Sequence, residues 1–130
     1  MSSKRKKNRK ILIIEDDIFL AELLIGDLKQ TGIDLDLVPD AEKAMEKIKE
    51  NQPDLIILDI ILPGMSGFEF LANIKANKKL SSIPIIILSN LGQKSEIEKG
   101  MKLGAQAFLV KANFELDELV QRIQEAVEEL

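Results

Sequence analysis

The sequence predicts an α/β domain, a doubly wound five-stranded parallel sheet flanked by five helices. Three observations predict it. Short apolar runs at Ile11–Ile14, Leu55–Leu58, Ile85–Leu88 and Phe108–Val110 have the composition of strands buried on both faces. Longer segments with apolar residues at helical spacing alternate with these runs, as repeated β-α units require. Each run also ends in a charged or reactive group: Glu15-Asp16-Asp17, Asp59, Ser89 and Lys111. Strands that all end this way point to one site at one edge of the sheet.

The first strand is expected at about Lys10–Ile14. A helix over about Asp17–Gln30 then places Leu20, Leu24 and Leu28 on one face, with Gly32 set to stop it. Asp34–Val38 alternates acidic and apolar residues, the pattern of an edge strand. Asp40 is the expected N-cap of a helix bearing Ala41, Ala44, Met45 and Ile48, and Pro53 resets the chain before the third strand. A turn-rich loop, Ile60–Ser66, leads to a helix over about Gly67–Asn77 with Phe70, Leu71 and Ile74 inward. Pro84 opens the fourth strand, where its missing N–H does least harm. Gln93–Leu103 carries a weak stripe, Ile97 and Met101, between glycines at 92, 100 and 104, and predicts a looser helix. Ala107–Val110 is the fifth strand. The final helix, about Glu115–Glu129, has the clearest stripe: Leu116, Leu119, Val120, Ile123 and Val127.

Right-handed crossovers leave few arrangements of such units. The strand order 2-1-3-4-5 puts a switch point between strands one and three, where open α/β sheets bind ligands at the carboxyl ends. Glu15, Asp16 and Asp59 fall there.

At 130 residues and 45% hydrophobic content, the chain fits one compact domain, so its output is expected from its own surface. No window reaches the roughly 18 apolar residues of a membrane span, and no apolar segment follows the basic N-terminus as a secretory signal would require. A bacterial or archaeal cytoplasm is the expected location. Cysteine and histidine are both absent, which excludes disulfides, thiol catalysis, imidazole bases and histidine metal ligands. Residues 1–10 hold six basic side chains and no acid. Removing those six from the 18 leaves 12 basic against 22 acidic, a net of −10 for residues 11–130. Residues 1–9 read as a disordered basic arm and 10–130 as the domain. No aromatic or amphipathic pattern accompanies the basic charges, so neither a membrane partner nor direct DNA binding is expected.

Crowded carboxylates repel, and burial raises their pKa values unless a cation intervenes. Magnesium takes oxygen ligands, accepts one or two carboxylates and keeps exchangeable waters. The expected ligands are Asp16, Asp59 and the backbone carbonyl of Ile61, with Glu15 acting through water. A carboxylate can attack phosphorus to give an acyl phosphate, and such transfer depends on alignment and charge neutralisation more than on acid-base help. Lys111 would supply an ammonium and Ser89 a hydroxyl.

The motifs I-L-I-I-E-D-D, L-I-I-L-D-I-I-L-P-G-M-S-G-F-E, I-P-I-I-I-L-S-N and G-A-Q-A-F-L-V-K, in this order, closely resemble the receiver domain of two-component response regulators, from residue 10 onward. The resemblance implies a flavodoxin-like fold and a regulatory phosphoacceptor rather than an enzyme. It implies that a sensor histidine kinase or histidine phosphotransfer protein donates phosphate to Asp59, with Glu15 and Asp16 serving magnesium. It gives Ser89, Lys111 and Phe108 the phosphoryl-binding and switch roles. Phosphorylation would draw Ser89 inward and let Phe108 turn, remodelling the face of helix four, strand five and helix five for a downstream protein target. It also places Ile61 and Leu91 along the approach of the hydrolytic water.

The chain departs from the family pattern in three places. Lys111-Ala112-Asn113-Phe114 has alanine for the usual proline and one extra residue, which predicts a trans peptide after Lys111. Position 90 is asparagine. Gln106-Ala107 replaces the acidic pair of many DNA-binding regulator dimers, which speaks against that dimer.

Competing functions fit less well. A dehalogenase-type phosphatase needs an acid two residues after the nucleophile, where Ile61 stands. A mononucleotide binder wants a hydroxyl- and glycine-rich loop where this chain has acids. A phosphorylation-independent interaction module would not need Asp16, Asp59, Ser89 and Lys111 together.

Overall fold

A computed structural model describes residues 9–130. The expected basic arm falls, apart from Arg9, outside the described residues. The elements are β1 (Lys10–Ile14), α1 (Ile18–Leu28), β2 (Asp34–Val38), α2 (Ala41–Glu50), β3 (Leu55–Leu58), α3 (Gly67–Ala76), β4 (Ile85–Ser89), α4 (Lys94–Lys102), β5 (Ala107–Val110) and α5 (Leu116–Glu128). All strand pairs are parallel and the order is β2-β1-β3-β4-β5, as expected.

The period-two alternation of the strands divides the core into two layers. Leu12, Ile14, Ile56, Leu58, Ile85 and Ile87 pack with Ala41, Ala44 and Ile48 of α2 and Phe70, Leu71 and Ile74 of α3. Ile11, Ile13, Leu55, Ile57, Ile86, Leu88 and Leu109 pack on the other face, against Leu24 and Leu28 of α1 and Leu119, Val120 and Ile123 of α5. Burying each such side chain contributes about 1.5–3 kcal/mol. Because β1, β3 and β4 are apolar on both faces, they anchor both layers. β2 carries Asp34 and Asp36 at the outer edge, where Asp36 meets Lys47 at 3.8 Å.

Local chemistry sets the helix ends. Asp17, Asp40 and Ser66 cap α1, α2 and α3, their side chains accepting from the N–H groups of Leu20, Lys43 and Glu69 at 3.1, 2.8 and 3.2 Å. α1 is shorter than its apolar pattern suggests. It ends at Leu28, and a 3-10 turn takes Lys29–Thr31, with the Thr31 hydroxyl donating to the Leu28 carbonyl at 2.6 Å. Gly32 then stops the chain at φ 81°, a left-handed conformation in which glycine carries no Cβ penalty.

The stripe expected on α4 is corrected. Met101 is exposed and Ile97 only half-buried, while Gly100 is the buried residue of the helix. A Cβ on Gly100 would lie 2.7 Å from Ile87 Cδ1 and 3.0 Å from Phe108 Cδ2. The missing side chain lets α4 press onto the sheet at this point, and a helix turns each residue about 100° from the last, so Met101 faces outward.

After β3 the chain bends through Pro63 and Gly64, the latter at φ 77°, a left-handed conformation in which glycine carries no Cβ penalty. It then brings Gly67 against the β3 end, where a Cβ would meet the Asp59 carbonyl oxygen at 2.5 Å and Ile60 Cα at 2.6 Å. Both are backbone atoms and cannot yield as a side-chain tip would. Gly67→Ala should therefore cost about 3 kcal/mol, the upper end of ordinary overpacking, read as a lower urea midpoint at unchanged slope. An unaffected midpoint would show that the loop gives way freely.

Candidate functional site

β1 and β3 pair with Ile14 opposite Leu58, and the Asp59 N–H donates to the Ile14 carbonyl at 3.0 Å. The next residue of each strand therefore leaves the sheet beside the other. Glu15 and Asp59 emerge adjacent, 3% and 5% exposed, with the exposed Asp16 above them. One carboxylate oxygen from each of the three lies within 4.8 Å of the other two.

Lys111, just beyond β5, reaches back over the sheet. Its Nζ lies 2.9 Å from Glu15 Oε1 and 3.1 Å from Asp59 Oδ2. The other oxygen of each carboxylate takes a backbone donor: the Asp17 N–H gives to Glu15 Oε2 at 3.0 Å, and the Ile61 N–H to Asp59 Oδ1 at 3.1 Å. Burial pushes the Glu15 carboxyl from the ordinary 4.5 up to about 7, and the nearby Asp59 charge adds to this. The bonds from Lys111 and the Asp17 N–H pull the other way but do not win. Burial alone would lower the Lys111 pKa, yet its bonds and charge contacts with Glu15 and Asp59 hold it above its ordinary value.

Three carboxylates against one ammonium leave an excess of negative charge on hard oxygen donors. That donor set fits a divalent cation of the magnesium class.

The other expected site residues lie around this cluster. Ser89 is fully buried at the end of β4, and its hydroxyl accepts from the Leu91 N–H at 3.4 Å. The register Leu58↔Ile87 and Ser89↔Val110 sets Ser89 between Asp59 and Lys111 along the sheet edge. Ile61 is 53% exposed at the rim, and Leu91 is half-buried against the α2–α3 layer. Phe108 packs instead on that layer, its ring beside Gly100. After Lys111 the chain makes a 3-10 turn through Lys111–Asn113, with every described peptide trans, including the one after Lys111.

Two contributors were not singled out in the sequence. Asp17, read there as the first helical residue, is the cap that both starts α1 and supplies the N–H holding Glu15. Its place before an apolar helical run was the available signal. Gly67 admits the close turn behind Asp59, and nothing short of the fold shows that contact.

Residues 11–124 match the family described as the response regulator receiver domain. The chain belongs to this family. The phosphate regulon transcriptional regulatory protein PhoB of Rhizobium meliloti is 35% identical over 115 residues, 88% of this chain and 50% of PhoB. The chain thus spans about half the length of the curated relatives it matches. Among solved structures, the phosphorylated cyanobacterial phytochrome response regulator RcpA superposes with a TM-score of 0.83 at 27% identity, covering 94% of this chain and 93% of RcpA. The Mn(2+)-bound form of response regulator Rcp1 gives 0.78 at 27% identity, covering 90% of each chain. The five-stranded sheet is the flavodoxin-like fold of receiver domains, which are regulatory modules of two-component systems. No helix among the described residues is long and apolar enough to cross a membrane.

The Glu15 environment predicts a pH dependence of this receiver's stability. A folded-state pKa raised from 4.5 to about 7 means that this group's contribution is fully present below pH 4.5 and is lost as pH rises to about 7. Glu15→Gln is neutral throughout and should flatten that decline, measured by urea unfolding across this range in metal-free buffer. An unchanged slope would assign the decline to other groups.

Proposed function

We propose that this receiver domain accepts a phosphoryl group on Asp59 from the phosphohistidine of a sensor histidine kinase or a histidine phosphotransfer protein. The observation that carries the reading is the cluster itself: a buried Asp59 sharing one ammonium with Glu15 beside a third carboxylate. A carboxylate oxygen of Asp59 attacks phosphorus, the P–N bond breaks, and its electron pair leaves on the donor imidazole. Asp16, Asp59 and the Ile61 carbonyl are the proposed magnesium ligands, with Glu15 acting through water. Bound magnesium supplies charge neutralisation on the phosphoryl oxygens.

The chain's own groups do the rest. The Ile61 N–H, already on Asp59 Oδ1, orients the carboxylate so that one oxygen is presented for attack. Lys111 is within reach of the new phosphoryl group and exchanges its Asp59 contact for a phosphoryl oxygen. Ser89, drawn toward that group, gives up its bond from the Leu91 N–H. Phe108 follows, altering the α4–β5–α5 face offered to a downstream protein. PhoB is by name a transcriptional regulator, but the strongly acidic charge of residues 11–130 disfavours direct contact of this domain with DNA.

Incubation with a small phosphodonor and magnesium should add one phosphoryl mass to the wild type and none to Asp59→Asn, read by intact-mass spectrometry. Uptake by the variant at the normal rate would remove Asp59 from the reading. Ser89→Ala should still take up phosphate but lose the change at α4–β5–α5, seen in amide chemical shifts.

The lifetime of the acyl phosphate is a separate expectation. Ile61 and Leu91 offer no side-chain group to hold a water in line, and both shield the phosphoryl group. Hydrolysis should take many minutes or longer, and Ile61→Asn with Leu91→Glu should accelerate it several-fold. Loss of phosphate within seconds from the wild type, or no gain in the double variant, would contradict the shielding.

A further inference from the structure

α1 and α5 pack side by side on the sheet, and between them runs a surface groove of about 450 Å³, lined by Asp27, Val120, Gln121, Gln124, Glu125 and Glu128 and reaching Asp117 at its far end. Its floor is Val120 and its walls are amide and carboxylate groups. Two features make it receptive to cations. The last turn of α1 carries Asp27 and no basic residue, and the last turn of α5 carries Glu125 and Glu128 and no basic residue. Helix C-termini present a negative dipole and favour cations there; α1 has Lys29 at its C-cap, whereas α5 ends in Glu128 and Glu129 with charge of the unfavourable sign.

The described chain begins beside the end of α5. Arg9 precedes β1, and its guanidinium donates to the carbonyl of Leu130, just past α5, at 3.2 Å. The segment before it, residues 1–8, contains Lys4, Arg5, Lys6 and Lys7 and no acid. Eight residues can span at most roughly 28 Å. That exceeds the roughly 20 Å length of the 13-residue α5.

We propose that the α1–α5 groove is the docking surface for the chain's own basic segment, residues 1–8, through ion pairs from Lys4, Arg5, Lys6 and Lys7 to Asp27, Asp117, Glu125 and Glu128. The segment supplies the cations that the end of α5 lacks, and Arg9, bonded to the Leu130 carbonyl, holds the start of the described chain beside that end. Exposed ion pairs are individually weak and screened by salt, so the docked arrangement is salt-sensitive and open to competition by external polyanions.

The chain has no cysteine, so Ser3→Cys in the full chain can carry a single nitroxide label. At low ionic strength the label should broaden the backbone amides of Gln121, Gln124, Glu125 and Glu128 and spare α2 and α3 on the opposite face. Raising salt to about 1 M, where the Debye length is about 3 Å, should relieve the broadening. Neutralising Lys4, Arg5, Lys6 and Lys7 to Gln together should reduce it several-fold, as should Glu125→Gln with Glu128→Gln. Absent broadening at low salt, broadening spread evenly or centred on another face, or indifference to the groove variants would overturn the proposal. If the label is free in the isolated chain and immobilised only on adding duplex DNA or anionic lipid vesicles, the segment serves an external polyanion and the proposal fails.

Discussion

One ammonium between two buried carboxylates governs the site. Lys111 touches Glu15 and Asp59 at 2.9 and 3.1 Å, and each acid's other oxygen rests on a backbone N–H. Removing one partner from a buried charge set of this kind typically costs about 3–5 kcal/mol, so the geometry is held firmly before any ligand arrives. The charge is nonetheless unbalanced once Asp16 is counted. Burial, with a smaller push from the neighbouring Asp59 charge, raises the Glu15 carboxyl to about 7. A site built this way is poised for cationic and electrophilic partners, because each one that enters relieves repulsion already present.

From this cluster a series of close contacts leads to the outer face. Gly67 brings the start of α3 against the Asp59 backbone, and the neighbouring Phe68 ring lies under Lys99 of α4 at 4.6 Å. The next residue, Gly100, rests on Ile87 and Phe108. The two glycine contacts are steric and allow little slack. The cation–π contact is worth about 0.5–1 kcal/mol where exposed, enough to bias the position of α4 without locking it. The helix over Phe108 is thus attached to the segment after β3 at the start of α3 as well as to the sheet. Few apolar side chains of α4 are buried, which makes it the helix most easily shifted.

The departures from the usual family pattern are absorbed locally. Alanine at 112 and the extra residue are taken up in the 3-10 turn Lys111–Asn113, with the Phe114 N–H donating to the Lys111 carbonyl at 3.3 Å. Phe114 then lies under the Arg122 guanidinium at 5.5 Å, joining the turn to α5. Lys111 keeps its reach to the acids although its flanking residues differ, because β5 sets its position and the turn only follows it.

Much of this was legible in the residues. The apolar runs identify β1, β3 and β4 because strands buried on both faces admit little else, and the alternation of Asp34–Val38 marks the edge. Asp40 and Gly32 act as read because capping and left-handed turns depend on side chains a few residues apart. The strand ends also named the groups that gather at one edge, since parallel strands deliver their carboxyl ends there. What local pattern could not convey was every contact between distant segments. Met101 fits a helical stripe as well as any residue, yet Gly100 is the buried position, because the approach of α4 is limited by Ile87 and Phe108. The sequence by itself determined which chemical groups reach the sheet edge. Only the tertiary structure decided that Lys111 pairs with both Glu15 and Asp59, because that depends on the register of strands β1, β3, β4 and β5, separated along the chain and brought together by pairing.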